Sequence, residues 1–207
     1  MKVLLIHAHE NPDSFCAALA KTAIEVLTAQ GHEVVTSDLY AMNFNPIAGK
    51  HDFKVLSDAD YYKYAMEQLH NSKTNNFADD VRSEIAKLNA IDLLLFNFPM
   101  WWWSMPAILK GWVDRVLAYG VAYGGDHKMG SEGRFKGSKA MCVITTGSPA
   151  STLPPIEPLL KNIHDGIFGL IGFESLEPFL AFSVSRIGQD ERAAILKSFK
   201  SRLREIN

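Results

Sequence analysis

The chain has 207 residues, 47% hydrophobic and 21% charged, near globular averages, which suits one α/β domain with a sizeable core and argues against disorder or a membrane protein. A formal net charge of -2, with no long run of like charges, argues against a nucleic-acid binder. The two cysteines, Cys16 and Cys142, fall in different predicted elements and are expected to be reduced core residues, with no metal site.

In chain order, Val3 to Ile6 is an apolar run that reads as a buried strand. It is too short for a signal-peptide core, and no stretch reaches the roughly 18 apolar residues of a membrane span, so a cytoplasmic protein without membrane insertion is expected. From Ser14 to Gln30 the residues Leu19, Ala23, Val26 and Leu27 share a helical face, and Gly31 closes the helix. A second strand follows at Glu33 to Thr36. Helical spacing recurs at Val81 to Leu88, Ala107 to Leu117 and near Glu191 to Leu203. Strand-like runs lie at Ile91 to Phe98, Ala140 to Thr145 and Leu176 to Phe182. Five strands alternating with helices predict a doubly wound parallel sheet with helices on both faces, in a single domain over 1–207. The segments Met42 to Asp60 and Tyr119 to Gly137 read as long loops.

In such a sheet, ligands sit beyond the carboxyl ends of the strands, so the loops after strands one, three and four are the ones to inspect. The first, His9 to Phe15, ends in Asp13-Ser14 at a helix N-terminus, where free N–H groups and the helix dipole suit a phosphate. It is not a glycine fingerprint, and an ordinary capped helix with an exposed His9 accounts for the same residues. His7 and His9 share one side of a strand but lack a third ligand at recognisable spacing, so a metal pair is rejected.

The third loop is the most informative. Pro99 halts the strand, and Trp101, Trp102 and Trp103 follow in succession; no single face can bury all three, so at least one indole must face a cavity, a ligand or a partner. Pro106 suits the first turn of the next helix. After strand four, Thr145, Thr146, Gly147 and Ser148 offer hydroxyls and a close backbone approach, although taken alone they read better as a plain turn.

The run FPMWWWSMPAILKGW, Phe98 to Trp112, resembles the hallmark of the NAD(P)H:quinone oxidoreductase (DT-diaphorase) family. The similarity extends to SDLYAMNFNPI (Ser37 to Ile47), HENPDSF (His9 to Phe15) and ITTG (Ile144 to Gly147), in the family's order. The resemblance implies a flavodoxin-like fold, bound FAD with FMN less expected, and two-electron hydride transfer from NADH or NADPH to the flavin and then, in ping-pong fashion, to a quinone or similar flat aromatic acceptor. It also implies a homodimer with the site at the subunit boundary. By the same resemblance His9, Ser14, Phe15 and Cys16 hold the pyrophosphate and ribityl chain. Met100, Trp101, Trp102 and Trp103 present uncommitted N–H groups and an aromatic face to the flavin ring, with Pro99 at the start of the loop also in contact with the cofactor, beside Thr145, Thr146, Gly147 and Ser148. Tyr123 matches a tyrosine bordering the substrate cavity and is the candidate catalytic residue.

Departures from the family accompany this match. Cys16 stands for an asparagine, Gly125 for a second tyrosine and Leu153 for a third, and a shorter loop removes a histidine, so the family's tyrosine–histidine proton relay is missing. Water, Tyr123 or His164 could supply the proton, and slower or differently pH-dependent catalysis is expected. Two other readings remain at this point: a flavodoxin-type electron carrier, and a redox-sensing regulatory subunit beside a potassium-efflux system. The weak net charge counts against the carrier.

Overall fold

The computed structural model describes residues 1–58 and 60–206; Ala59, within the loop expected from Met42 to Asp60, and Asn207, at the end of the expected domain, lie outside the described residues. The opening unit is β1 (Lys2–His7), α1 (Phe15–Ala29) and β2 (Glu33–Asp38). Gly31, at φ 84, takes the left-handed conformation that ends α1. Two helices follow, α2 (Tyr64–Thr74) and α3 (Asp79–Leu88), then β3 (Leu93–Pro99) and α4 (Ala107–Val116). The remainder is β4 (Lys139–Thr145), α5 (Glu157–Ile163), β5 (Glu174–Ser175), β6 (Phe179–Ala181) and α6 (Gln189–Arg204).

The strands form one sheet in the order β2-β1-β3-β4-β5, with β6 also pairing β4, and every pairing is parallel. Alternation along each strand divides the core between the two faces. Leu4, Ile6, Leu94, Phe96, Phe98 and Cys142 pack toward Leu109 and Trp112 of α4 and Ile163 of α5. Val3, Leu5, Leu93, Leu95, Met141 and Val143 pack toward Leu19 and Leu27 of α1 and Phe199 and Leu203 of α6. Burial on both faces explains why these strands read as continuous apolar runs. Among the described residues, no helix is long and apolar enough to cross a membrane.

Three expectations need correction. The run Leu176 to Phe182 is not one strand: β5 pairs the start of β4 and β6 pairs its end, and Pro178, which has no N–H to donate, lies in the gap. Pro106 is the N-cap of α4, one residue before the first turn. The helices α2 and α5 were not anticipated. Buried positions on α2 include the polar Glu67, Gln68 and Asn71, so its hydrophobic period is weak, and α5 carries Pro158 near its start.

The long segment after β2 is fastened to α4. Arg115, fully buried, donates from Nε to Asp52 at 2.8 Å and from Nη1 to the Asn45 carbonyl at 2.6 Å, and pairs through Nη2 with Asp52 and Asp80. Its guanidinium lies 4.9 Å from the centre of the Phe44 ring. One turn earlier Gly111 meets Pro46 so closely that a Cβ there would lie 2.2 Å from the Pro46 carbonyl oxygen. Because that obstacle is backbone, Gly111→Ala is expected to lower stability by roughly 2 kcal/mol, typical of core overpacking, read as a lower thermal midpoint.

Candidate functional site

In-register pairing ends β1, β3 and β4 at one edge of the sheet, so the three loops singled out above emerge side by side. In the first loop, Ser14 is the N-cap of α1 and its Oγ accepts the Ala17 N–H at 3.1 Å. Asp13 N–H donates to Asn11 Oδ1, and Asn11 N–H donates to His9 Nδ1 at 3.0 Å. A backbone N–H can only donate, so in the neutral ring His9 Nδ1 accepts and Nε2 carries the proton, while the Glu10 carboxylate lies 3.2 Å from the same Nδ1. The N–H groups of Phe15 and Cys16, the first two of α1, have no acceptor among the described residues.

Cys16 is a buried, reduced core residue, as expected. Its thiol turns inward to Asn97 Oδ1 at 3.7 Å, and burial pushes its pKa up to about 12, so it is a neutral group offering only its backbone N–H to the loop. Arg192, which sequence reasoning passed over, stands near this helix end. Its guanidinium lies 5.9 Å from the centre of the Phe15 ring, Nη2 donates to the Val184 carbonyl, and Nε is buried without a partner among the described residues. With Asp13, Ser14, Phe15 and Gln189 it bounds a cavity of about 250 Å³. The available signal was a cation in the opening turn of a helix, where the dipole disfavours positive charge unless an anion is near.

In the third loop, Trp101 and Ser104 exchange both backbone hydrogen bonds at 3.0 Å, closing a two-residue turn around Trp102 and Trp103. Both central residues have positive φ, 49 and 60. This is type I′ geometry, which normally selects Asn-Gly and disfavours bulky residues by roughly 1–2 kcal/mol each. The Met100 N–H donates to the Thr145 carbonyl and the Trp101 N–H to Ser104, so the expected set of uncommitted N–H groups narrows to Trp102 and Trp103. Trp101 meets the His9 ring edge-on at 6.1 Å, while Trp102 is fully exposed.

After β4, Thr145 and Thr146 are buried, and Thr146 donates from its N–H to Ala181 and from its hydroxyl to the Ser148 carbonyl. The Gly147 and Ser148 N–H groups have no acceptor among the described residues. They face Met100, Trp102, Trp103, Leu153 and Pro154 across an open cavity of about 550 Å³. Pro99 lies below this rim as the last residue of β3, paired with Thr145.

A family profile described as flavodoxin-like fold matches residues 1–206. NAD(P)H dehydrogenase [quinone] 1 from Rattus norvegicus is 37% identical, aligned over 99% of this chain and 77% of its own length. A ribosyldihydronicotinamide dehydrogenase-like protein from Penicillium crustosum is 40% identical over 100% of this chain and 81% of its own. A solved structure described as a quinone reductase from Klebsiella pneumoniae superposes with a TM-score of 0.93 at 35% identity, covering 99% of this chain and 84% of that one. The chain belongs to the flavodoxin-like NAD(P)H:quinone oxidoreductase family.

Against that family, two features of this member stand out. Leu153 does line the main cavity, but an aliphatic side chain cannot move a proton. Tyr123 lines a different cavity, of about 190 Å³, with Val113 of α4, Leu117 just past its end, and Ile167, Leu170 and Ile171 beyond α5. Burial raises the Tyr123 pKa, with Tyr119 and Asp114 adding to the effect. His164, the other proton source considered, opens a π-helical turn, His164–Gly169, that continues α5; its Nε2 is buried without a partner among the described residues, and burial holds its pKa below the usual range. Neither residue joins the tryptophans in the main cavity of one chain. His7 and His9 do not converge either, since His7 is buried against Asn97.

Replacing Ser14 by Ala removes the cap of α1 and is expected to cost about 1 kcal/mol of stability, measurable by thermal unfolding.

Proposed function

We propose that the chain is an FAD-dependent NAD(P)H dehydrogenase (quinone) with one flavin-binding domain over 1–207. The observation that carries this reading is that four residues whose N–H groups have no acceptor among the described residues, Trp102, Trp103, Gly147 and Ser148, line one open aromatic cavity. Such groups suit the edge of a flat heterocycle, and indoles suit its face. When bound, the flavin supplies the redox chemistry, accepting hydride from NADH or NADPH and passing two electrons to a quinone or similar flat acceptor in a ping-pong cycle. The Phe15 and Cys16 N–H groups, His9 Nε2–H and the Ser14 cap would hold its phosphates. The cavity beside Arg192 favours FAD over FMN, because a pyrophosphate and adenine need room and positive charge past the first phosphate.

The chain's own residues would position and desolvate the reactants instead of relaying protons, since Leu153 offers none; proton supply falls to water or to Tyr123. A homodimer joins the two cavities in this reading: Trp102 is fully exposed, and the cavity of Tyr123 with its exposed Leu170 would face the flavin of a second copy. A cytoplasmic location goes with this activity and with two free, buried thiols. The carrier and sensor readings have no comparable observation in their favour.

The deciding experiment is a visible spectrum of the purified protein with FAD, followed by anaerobic NADH or NADPH and then a quinone. Bleaching and then recovery of the oxidised band is the expected result; flavin that neither nucleotide reduces would overturn the reading. Arg192→Leu is expected to raise the FAD dissociation constant on the order of tenfold while leaving FMN affinity nearly unchanged, by fluorescence titration. If Tyr123 acts across the subunit boundary, mixing Tyr123→Ala with Arg192→Leu protein, at an FAD concentration that leaves the latter mostly unloaded, gives more activity than the sum of the two measured separately, because one site of each mixed dimer is intact; no gain would place both residues in one chain's site.

A further inference from the structure

His7, Asn97 and Cys16 form a buried polar cluster directly behind the first turn of α1, and no step above uses it. Asn97 is opposite His7 in the β1–β3 pairing, and its backbone carbonyl accepts the Ala8 N–H. All three residues are buried. Asn97 Nδ2 lies 3.0 Å from the Cys16 carbonyl oxygen and 2.8 Å from His7 Nδ1. The carbonyl can only accept, so the amide atom facing it must be nitrogen; the same nitrogen must then donate to His7, whose Nδ1 is bare and whose proton sits on Nε2. Asn97 Oδ1 faces the Cys16 thiol at 3.7 Å. One amide therefore ties the carbonyl of Cys16, a residue whose own N–H is uncommitted among the described residues, to the end of β1.

We propose that Asn97 is a positioning residue for the phosphate-binding turn of α1, and that protonation of His7 releases it. A cationic His7 would present an N–H to Nδ2, two donors face to face in a buried site. The amide must then turn over, which sets Oδ1 against the Cys16 carbonyl and removes the donor that anchors the helix start. Groups facing His7 come from each neighbouring element: Asp38 at the end of β2, His9 past β1, Asn97 on β3 and Cys16 on α1. Burial lowers the His7 pKa below its ordinary 6.5, Asp38 opposes this, His9 adds to it, and the Asn97 backbone carbonyl favours the cation slightly. The neutral, anchored state thus prevails at neutral pH and is lost as pH falls through the His7 pKa.

This inference rests on the phosphate reading of α1, so its test has two arms. In the first, ¹⁵N shifts of the His7 ring in the flavin-free protein should show a bare Nδ1 and a protonated Nε2 at neutral pH; a proton on Nδ1 would overturn the proposal whatever the protein binds. In the second, FAD dissociation constants are followed by fluorescence from about pH 7.5 to about pH 5.5. Affinity should fall severalfold, the decline setting in as pH approaches the His7 pKa seen by NMR. His7→Gln, which keeps an acceptor but cannot titrate, should hold the tight value across the range, and Asn97→Leu should be weak throughout, with thermal unfolding confirming that both fold. An unchanged pH slope in His7→Gln would overturn the switch. No flavin binding by the wild type at any pH would instead defeat the proposed function, leaving the ring shifts to decide the His7–Asn97 arrangement.

Discussion

Parallel hydrogen bonding in register is the constraint on which the rest of this molecule depends. Pairing Val3 with Leu93 and Leu93 with Lys139 obliges β1, β3 and β4 to finish at the same edge. Helices cover both faces, so the strand interiors can be apolar throughout, and polar chemistry is pushed to the strand ends. There the chain changes character within one or two residues, from Phe98 to the tryptophan turn and from Ile144 to Thr145. N–H groups without an acceptor among the described residues, such as those of Gly147 and Ser148, lie at that edge.

Buried polar clusters hold the elements that the hydrophobic core leaves loosely specified. Glu84, fully buried, accepts from Ser37 Oγ at 2.6 Å and Trp112 Nε1 at 2.8 Å, with Lys87 beside it, linking β2, α3 and α4. Arg115 does the same for the segment after β2, and Asn97 for the start of α1. Each cluster is satisfied internally, and each would leave a buried donor or charge unpaired if one member were removed, which makes the arrangement specific. The polar ties thus fix where the loops lie, and the apolar contacts supply most of the stabilisation.

The tryptophan turn shows local preference overruled. Trp102 and Trp103 occupy conformations that a bulky side chain disfavours, held by the two bonds between Trp101 and Ser104 and by the tie from Met100 to Thr145. Strain of this kind persists only where surrounding structure enforces it, and it commonly accompanies ligand sites. The turn leaves the Trp102 and Trp103 N–H groups without acceptors among the described residues and the Trp102 indole in solvent, with both residues lining the cavity.

Sequence by itself determined the alternation of strands and helices, the aromatic loop, the capped start of α1 and the family hallmark, because each rests on neighbours close in the chain: apolar runs, a Ser at a helix start, a proline beyond a strand. Only the tertiary structure decided the rest. It split Leu176 to Phe182 between two positions along β4, since which residues pair depends on a partner far away. It turned the Cys16 thiol inward to Asn97, brought Arg192 of α6 over Phe15, and separated Tyr123 from the tryptophans. Each of these is a meeting, or a failure to meet, of residues distant in sequence, and hydrophobic period and local propensity carry no record of such distances.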